Sequence, residues 1–290
     1  MTITAREAEK IIEAREGLGQ LYEIEQNFKI MISLYKDFES TIFDLTLDAL
    51  SEPFRARADF TSELVKVNQR LFSFMTAAGM YHDIMNRIRC NTNKELSQCI
   101  TDAQKYFSKE YDSRLNYRLL EALRNVAKHE RNVVTTIKHD RYRDRSSSQP
   151  KIEVNPHIKV SSALLRTLKS QVRKELQSGK IETVNAKEMV REYMEALAQC
   201  HHLYLQNTEK IVSRIRKVYE AAWEKYPHKD VGNNTFCIVD KTDEDGKFIG
   251  IETVVELERF RNAKSLLLRP YSTLISVDSD GSSKSPSLEH

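Results

Sequence analysis

The stretch Gln20–Leu50, QLYEIEQNFKIMISLYKDFESTIFDLTLDAL, decides the fold class. Apolar side chains recur at Leu21, Ile24, Phe28, Met31, Leu34, Phe38, Ile42, Leu45 and Leu47, close to the 3.6-residue period of a helix buried along one face. Upstream, Thr4-Ala5-Arg6-Glu7 has the pattern of a capping box, and helical composition follows to about Gly17. Gly17 and Gly19 are expected to interrupt it, leaving a short first helix before the long one. Downstream, Pro53 marks a break, and a second amphipathic run from about Ala56 carries Phe60, Leu64, Val67, Leu71, Phe74, Met75 and Met85 towards Arg89. Thr92-Asn93-Lys94-Glu95 offers a further start, and Lys94 to about Glu130 reads as one helix, or two with a bend near Ser108. Short connections make neighbouring helices antiparallel, so this part reads as a helical bundle.

Beyond His129 the pattern changes to β-branched alternation at Val133, Thr135 and Ile137, then Ile152 and Val154, across a loop containing Ser146-Ser147-Ser148-Gln149-Pro150; this predicts a hairpin. Helices return from about Ser162 to Leu176, stopped by Ser178-Gly179, and from Asn185 to about Lys225, where Asn185-Ala186-Lys187-Glu188 resembles a cap. Phe236–Val239 and Phe248–Thr253 flank Asp243-Glu244-Asp245-Gly246 as a second hairpin, and Glu256–Leu268 suits a final helix before Pro270. The fold class is therefore mainly α: an N-terminal antiparallel bundle (1–131), a helical region with two small β-hairpins (132–275), and a polar tail expected to be disordered (276–290), ending at Leu288–His290 in what resembles the start of a purification tag. No solenoid repeat is present.

Composition agrees with this and narrows function. Among 290 residues only 8 are Gly and 6 Pro, which favours long helices with few tight turns. The 45 basic and 42 acidic side chains leave a formal charge of +3, so any nucleic-acid contact must come from a local patch rather than bulk charge. Cys90, Cys99, Cys200 and Cys237 form no CxxC pair, which argues against a zinc ribbon or a disulfide framework and for a reducing cytoplasm. Charges at Arg6 and Glu7 fall where a secretory leader needs an apolar core, and no window approaches the length of a membrane span; a soluble protein without membrane contact is expected. Cys200-His201-His202 lacks a second cluster to complete a metal site, and Asp243-Glu244-Asp245 fits no calcium loop. P-loop, GxGxxG, GxSxG and HExxH motifs are missing, so no cofactor and no metal are expected.

One short segment is chemically specified. Arg124-Asn125-Val126-Ala127-Lys128-His129 closes the long helical run and joins a fixed cation, an amide and a titratable imidazole within two turns, a set suited to gripping a phosphate and moving a proton. It is the chain's only Arg-x(4-6)-His match. The same residues also suit a structural role, because cationic and imidazole side chains in a last helical turn are favoured by the helix dipole.

Leu123-Arg124-Asn125-x-x-x-His129, ending a helix in an all-α bundle, resembles the R-N-x3-H form of the R-x(4-6)-H motif of the HEPN superfamily. The longer pattern through Tyr111-Asp112, Tyr117-Arg118 and Leu123-Arg124-Asn125 to His129 also resembles a signature recurrent in uncharacterised bacterial helical proteins. The resemblance implies a metal-independent endoribonuclease of a defence or toxin-antitoxin system, its site assembled across a homodimer. His129 would then act as acid or base on the ribose 2′-hydroxyl and leaving oxygen, Arg124 would stabilise the phosphorane charge, and Asn125 would position groups. It also implies RNA as substrate and a possible protein partner from the same operon. In one HEPN subclass a modified tyrosine lies two residues after the histidine; here that position is Arg131, so that regulation is not expected.

Helix arithmetic qualifies the motif. Five residues at about 100° each place Arg124 and His129 about 140° apart, so either the helix end is distorted at His129 or a second protomer supplies the missing partner. Arg118, Asn125 and His129 fall nearly on one line, which makes Arg118 a candidate second cation beside His129; Lys128 is a further candidate to bind substrate. Lys138-His139-Asp140-Arg141-Tyr142-Arg143-Asp144-Arg145 is the densest basic stretch: Lys138, Arg141 and Arg143 could follow a nucleic-acid backbone and Tyr142 could stack a base, although alternating charge also suits an exposed strand edge. The alternative function is a non-catalytic helical interaction, sensor or regulatory protein of such a system.

Overall fold

The computed structural model describes residues 4–51, 57–88, 94–129, 132–143, 150–225, 238–239 and 248–249. The chain is mainly helical, with a small antiparallel sheet. The elements are α1 (Ala5–Ser51), α2 (Arg57–Ile88), α3 (Lys94–Ser113), α4 (Leu115–His129), β1 (Thr136–Arg143), β2 (Pro150–Lys159), α5 (Ser162–Thr167), α6 (Ser170–Ser178), β3 (Thr183–Asn185), α7 (Ala186–Lys225), β4 (Ile238–Val239) and β5 (Phe248–Ile249).

The capping box forms: the Glu7 amide donates to Thr4 Oγ1 at 3.3 Å and the Thr4 amide donates to Glu7 Oε2 at 3.1 Å. The break expected at Gly17 and Gly19 does not occur, and α1 runs unbroken from Ala5 to Ser51. Packing overrides propensity at Gly17, where a Cβ would lie 3.0 Å from Ile215 Cδ1. The missing side chain lets another helix approach closely, which offsets the roughly 1 kcal/mol that a helical glycine costs. Along α1 the expected stripe is buried at Leu21, Ile24, Phe28, Met31, Phe38, Ile42 and Leu45, whereas Leu47 points outward at 47% exposure.

The helix from Lys94 does divide in two, at Arg114 rather than near Ser108. Arg118 explains the position of the break, because its Nη1 donates to the Tyr111 and Asp112 carbonyls at 2.5 and 2.6 Å. Those are carbonyls that a helix end leaves without an intrahelical partner. The helical run from Ser162 is likewise divided, at Leu168 and Lys169, and ends at Gly179 as expected.

The first hairpin forms with β1 and β2 antiparallel and His139 opposite Val154. A third strand, β3, adds to the far side of β2 and makes β1 an edge. The cap before α7 forms too: Asn185 Oδ1 accepts from the Lys187 amide at 3.0 Å. The chain entering β1 is clasped to α2 by Asn68, whose Nδ2 donates to the Val134 carbonyl and whose Oδ1 accepts from the Val134 amide, each at 2.9 Å. β4 and β5 pair antiparallel in the second hairpin. Its acidic turn, the helix expected at Glu256–Leu268, the tail from Ser276 and the breaks assigned to Pro53 and Thr92-Asn93 lie outside the described residues.

The described residues fall into two compact units, one drawing on residues 4–27, 83–88, 94–104, 202–225, 238–239 and 248–249 and the other on 28–51, 57–82, 105–129, 132–143 and 150–201. Both take segments from either side of residue 131. In the first, Leu21, Ile24, Met85, Ile100 and Ile211 are buried, with ion pairs from Arg87 to Glu23 and from Arg214 to Glu95. In the second, Phe28, Phe38, Leu71, Phe74, Leu120, Leu123, Val154 and Met194 are buried. The motif belongs to this second unit. Among the described residues no helix is long and apolar enough to cross a membrane.

Candidate functional site

Helix α4 buries Tyr117, Leu119, Leu120, Leu123 and Val126 on its inner face, and this fixes where its polar residues point. Arg118 falls on the buried side, 5% exposed, with its guanidinium on the two α3 carbonyls and Nη2 on Glu175 Oε2 at 2.5 Å. The cation considered for substrate is thus engaged with α3 and α6. Asn125 is exposed. The side chains of Lys128 and His129 lie outside the described residues, but the backbone is helical through His129. A distorted helix end is therefore not observed, and on a regular helix Arg124 and His129 remain about 140° apart.

Arg124 is half-buried, with 21% of its side chain exposed. It lies against the backbone of α2 at Gly79, where a Cβ would meet its Nη1 at 2.1 Å. Only a glycine leaves room for the guanidinium in this position. Its ion pair with Glu121 is loose, Nη1 to Oε2 at 3.8 Å, beyond hydrogen-bonding distance. Its Nε is buried and, among the described residues, has no hydrogen-bond partner.

Around this arginine the fold gathers groups that, Tyr117 apart, the sequence did not single out. His82, one turn after Gly79 on α2, has its Nε2 2.9 Å from the Tyr117 hydroxyl and 3.6 Å from Glu121 Oε1. The Tyr193 hydroxyl of α7 donates to the same Glu121 oxygen, and the Tyr117 and Tyr193 rings lie 4.5 Å apart. Burial, with Glu121 next, pushes both phenols far up, so both hydroxyls keep their protons. His82, Glu121 and Arg124 are each about one-fifth exposed, while Tyr117 and Tyr193 are buried beneath them. No local spacing announces this cluster, because its members come from three helices distant in the chain.

The basic stretch lies along β1. Lys138 is exposed, whereas the side chains of Arg141, Tyr142 and Arg143 lie outside the described residues. His139 turns inward, Nε2 3.0 Å from Glu63 Oε2 and its ring edge-on to Phe60. On the opposite face of the sheet Asp140 accepts from Asn155, which is buried, and Asn155 from Asn185, which links the three strands to the cap of α7. Burial, and then Lys138, lowers the pKa of His157 on this face. In the Cys200-His201-His202 segment, His201 is buried, stacked on Phe28 at 3.6 Å and bonded through Nδ1 to the Tyr81 hydroxyl at 2.8 Å.

Comparison with protein-family models, with curated proteins and with solved structures found no match to the chain.

Proposed function

We propose that the chain is a metal-independent RNA endonuclease of the HEPN type, of a bacterial defence or toxin-antitoxin system, with Arg124, Asn125 and His129 at its site. The observation that carries this reading is the state of Arg124: a half-buried guanidinium, 21% exposed, whose ion pair with Glu121 is loose. Such a cation is suited to an arriving phosphate, which offers the bidentate acceptor geometry that guanidinium groups favour.

In the reaction, the ribose 2′-oxygen bonds to phosphorus as its proton passes to a base. The P–O5′ bond breaks with its electron pair on O5′, which takes a proton from an acid, leaving a 2′,3′-cyclic phosphate and a 5′-hydroxyl. The nucleophile is already held close to phosphorus, so positioning and charge stabilisation are what the protein must supply. His129 moves protons and Arg124 stabilises the phosphorane oxygens. The separation of these two residues around α4 favours a homodimer, in which one chain's imidazole meets the other's phosphate. Lys138, Arg141 and Arg143 on the edge strand are suited to follow the backbone and Tyr142 to stack a base.

The test is cleavage of a mixed single-stranded RNA pool with a chelator present, comparing the wild type with His129→Ala at matched folding. Cleavage by the wild type alone is the expected result; equal cleavage by both contradicts the assignment. A second reading, a non-catalytic interaction or sensor protein of such a system, is favoured by the exposed stripe Phe43, Leu47 and Leu50 on α1. Absence of cleavage in either protein, with RNA bound by neither, would favour that reading.

A further inference from the structure

We propose that His82 and Arg124 hold the same phosphate within a single chain, so that His82 is a second catalytic imidazole at the site. The inference rests on the RNA-cleaving reading and adds a residue from outside the motif.

Three observations carry it. First, Arg124 and His82 approach the two oxygens of one carboxylate, Nη1 to Glu121 Oε2 at 3.8 Å and Nε2 to Glu121 Oε1 at 3.6 Å. Both separations exceed a hydrogen bond, so Glu121 holds the two cationic or cation-forming groups near one another without saturating Arg124. Second, Gly79 and His82 lie one turn apart on α2, and the space over Gly79 is filled by the Arg124 guanidinium. The two groups therefore face the same part of the surface, and each is about one-fifth exposed. Third, the base of the cluster is buried and hydrogen-bonded: the Tyr117 hydroxyl lies 2.9 Å from His82 Nε2, and Tyr193, its ring 4.5 Å from that of Tyr117 and tilted by 37°, donates to Glu121. With both hydroxyls kept protonated, Tyr117 orients the imidazole and Tyr193 orients the carboxylate. Glu121 and Tyr117 are positioning residues here.

In the step, His82 takes the 2′-hydroxyl proton as the 2′-oxygen bonds to phosphorus. The P–O5′ bond breaks and O5′ takes its proton from the imidazolium of His129. The two imidazoles then exchange protons with water, and Arg124 stays on the non-bridging oxygens throughout. Two imidazoles, one acting as base and one as acid, predict a bell-shaped pH dependence of cleavage.

The test follows the His82 ring carbon–hydrogen signal in the full chain labelled at histidine, assigned with His82→Gln. Inorganic phosphate is added first, then a single-stranded RNA blocked at every 2′-oxygen by methylation. The expected result is a saturable shift of the His82 signal with both probes, weakened at least about tenfold in Arg124→Ala, together with a loss of cleavage of about a hundredfold or more in His82→Gln. A His82 signal unmoved by either probe, or moved equally in Arg124→Ala, would overturn the shared site. Full cleavage by His82→Gln alongside an inactive Arg124→Ala would overturn it too, and leave the nuclease reading standing. An Arg124-dependent shift in a protein that cuts no RNA would support the phosphate site and defeat the nuclease reading.

Discussion

Replacing Arg118 by methionine separates a structural cation from a substrate-binding one. The guanidinium makes three short contacts, to the carbonyls of Tyr111 and Asp112 at 2.5 and 2.6 Å and to Glu175 at 2.5 Å, while remaining 5% exposed. Methionine keeps much of the stem's volume but supplies no donor. Breaking a buried pair costs about 3–5 kcal/mol when the remaining charge stays buried. Glu175 is one-third exposed and can turn to water, so its share of that cost is small. The two helix-end carbonyls lose charged donors at about 1–2 kcal/mol each, giving a total of about 2–4 kcal/mol. Urea unfolding followed by circular dichroism should show the midpoint falling by about 1 M or more with little change in slope. Cleavage and RNA affinity per folded molecule should stay near wild type. Unchanged stability with RNA binding lost would refute this reasoning and restore Arg118 to the substrate.

Other positions give independent checks. Asn68→Ala leaves the buried Val134 amide and carbonyl without their partner, and urea unfolding should show a loss of about 2–4 kcal/mol; a loss under about 0.5 kcal/mol would mean that water replaces the clasp. His157 has its pKa lowered from 6.5 by burial first and Lys138 second, so its protonation opposes folding. Its contribution to stability is complete above about pH 6.5 and is lost as pH falls through the lower folded-state value. The urea midpoint should therefore drop less between pH 7.5 and 5 in His157→Gln than in wild type, and equal drops would contradict the shift. The Cys200 thiol, pushed up to about 12 by burial and then by Glu110, should resist iodoacetamide at pH 8 in the folded chain; alkylation at the rate of the unfolded chain would count against its burial.

The helices were legible because their signal is repeated many times over. The stripe from Leu21 to Leu45 constrains one face of α1, and no single residue decides it. Caps at Thr4 and Asn185 were readable for a local reason, since each bond spans two or three residues. Local signals misled where a distant partner changed the balance. Gly17 reads as a breaker until Ile215 occupies the space beside it, and the bend near Arg114 depends on Arg118 reaching back to two carbonyls. β3 is only three residues long and carries too little alternation to announce a strand.

The same contrast holds at the site. Arg124, Asn125 and His129 stand out as a spacing within one helix. Gly79, His82, Glu121 and Tyr193 acquire meaning only once α2, α4 and α7 are brought together. Arg118 shows the converse error of helical arithmetic: it shares a line with Asn125, yet one is buried beside α3 and α6 and the other is exposed. Angular position around a helix says nothing of which neighbours cover each turn.

Metal-independent RNA cleavage through Arg124 is tested most directly by comparing wild type with Arg124→Ala on one single-stranded RNA and on its all-deoxy counterpart, with a chelator present and folding matched. Wild type should cut the RNA to 2′,3′-cyclic phosphate ends and leave the DNA whole, while Arg124→Ala loses about a hundredfold or more of the rate. Cleavage of the DNA, or RNA cleavage that survives the loss of Arg124 undiminished, would contradict the assignment.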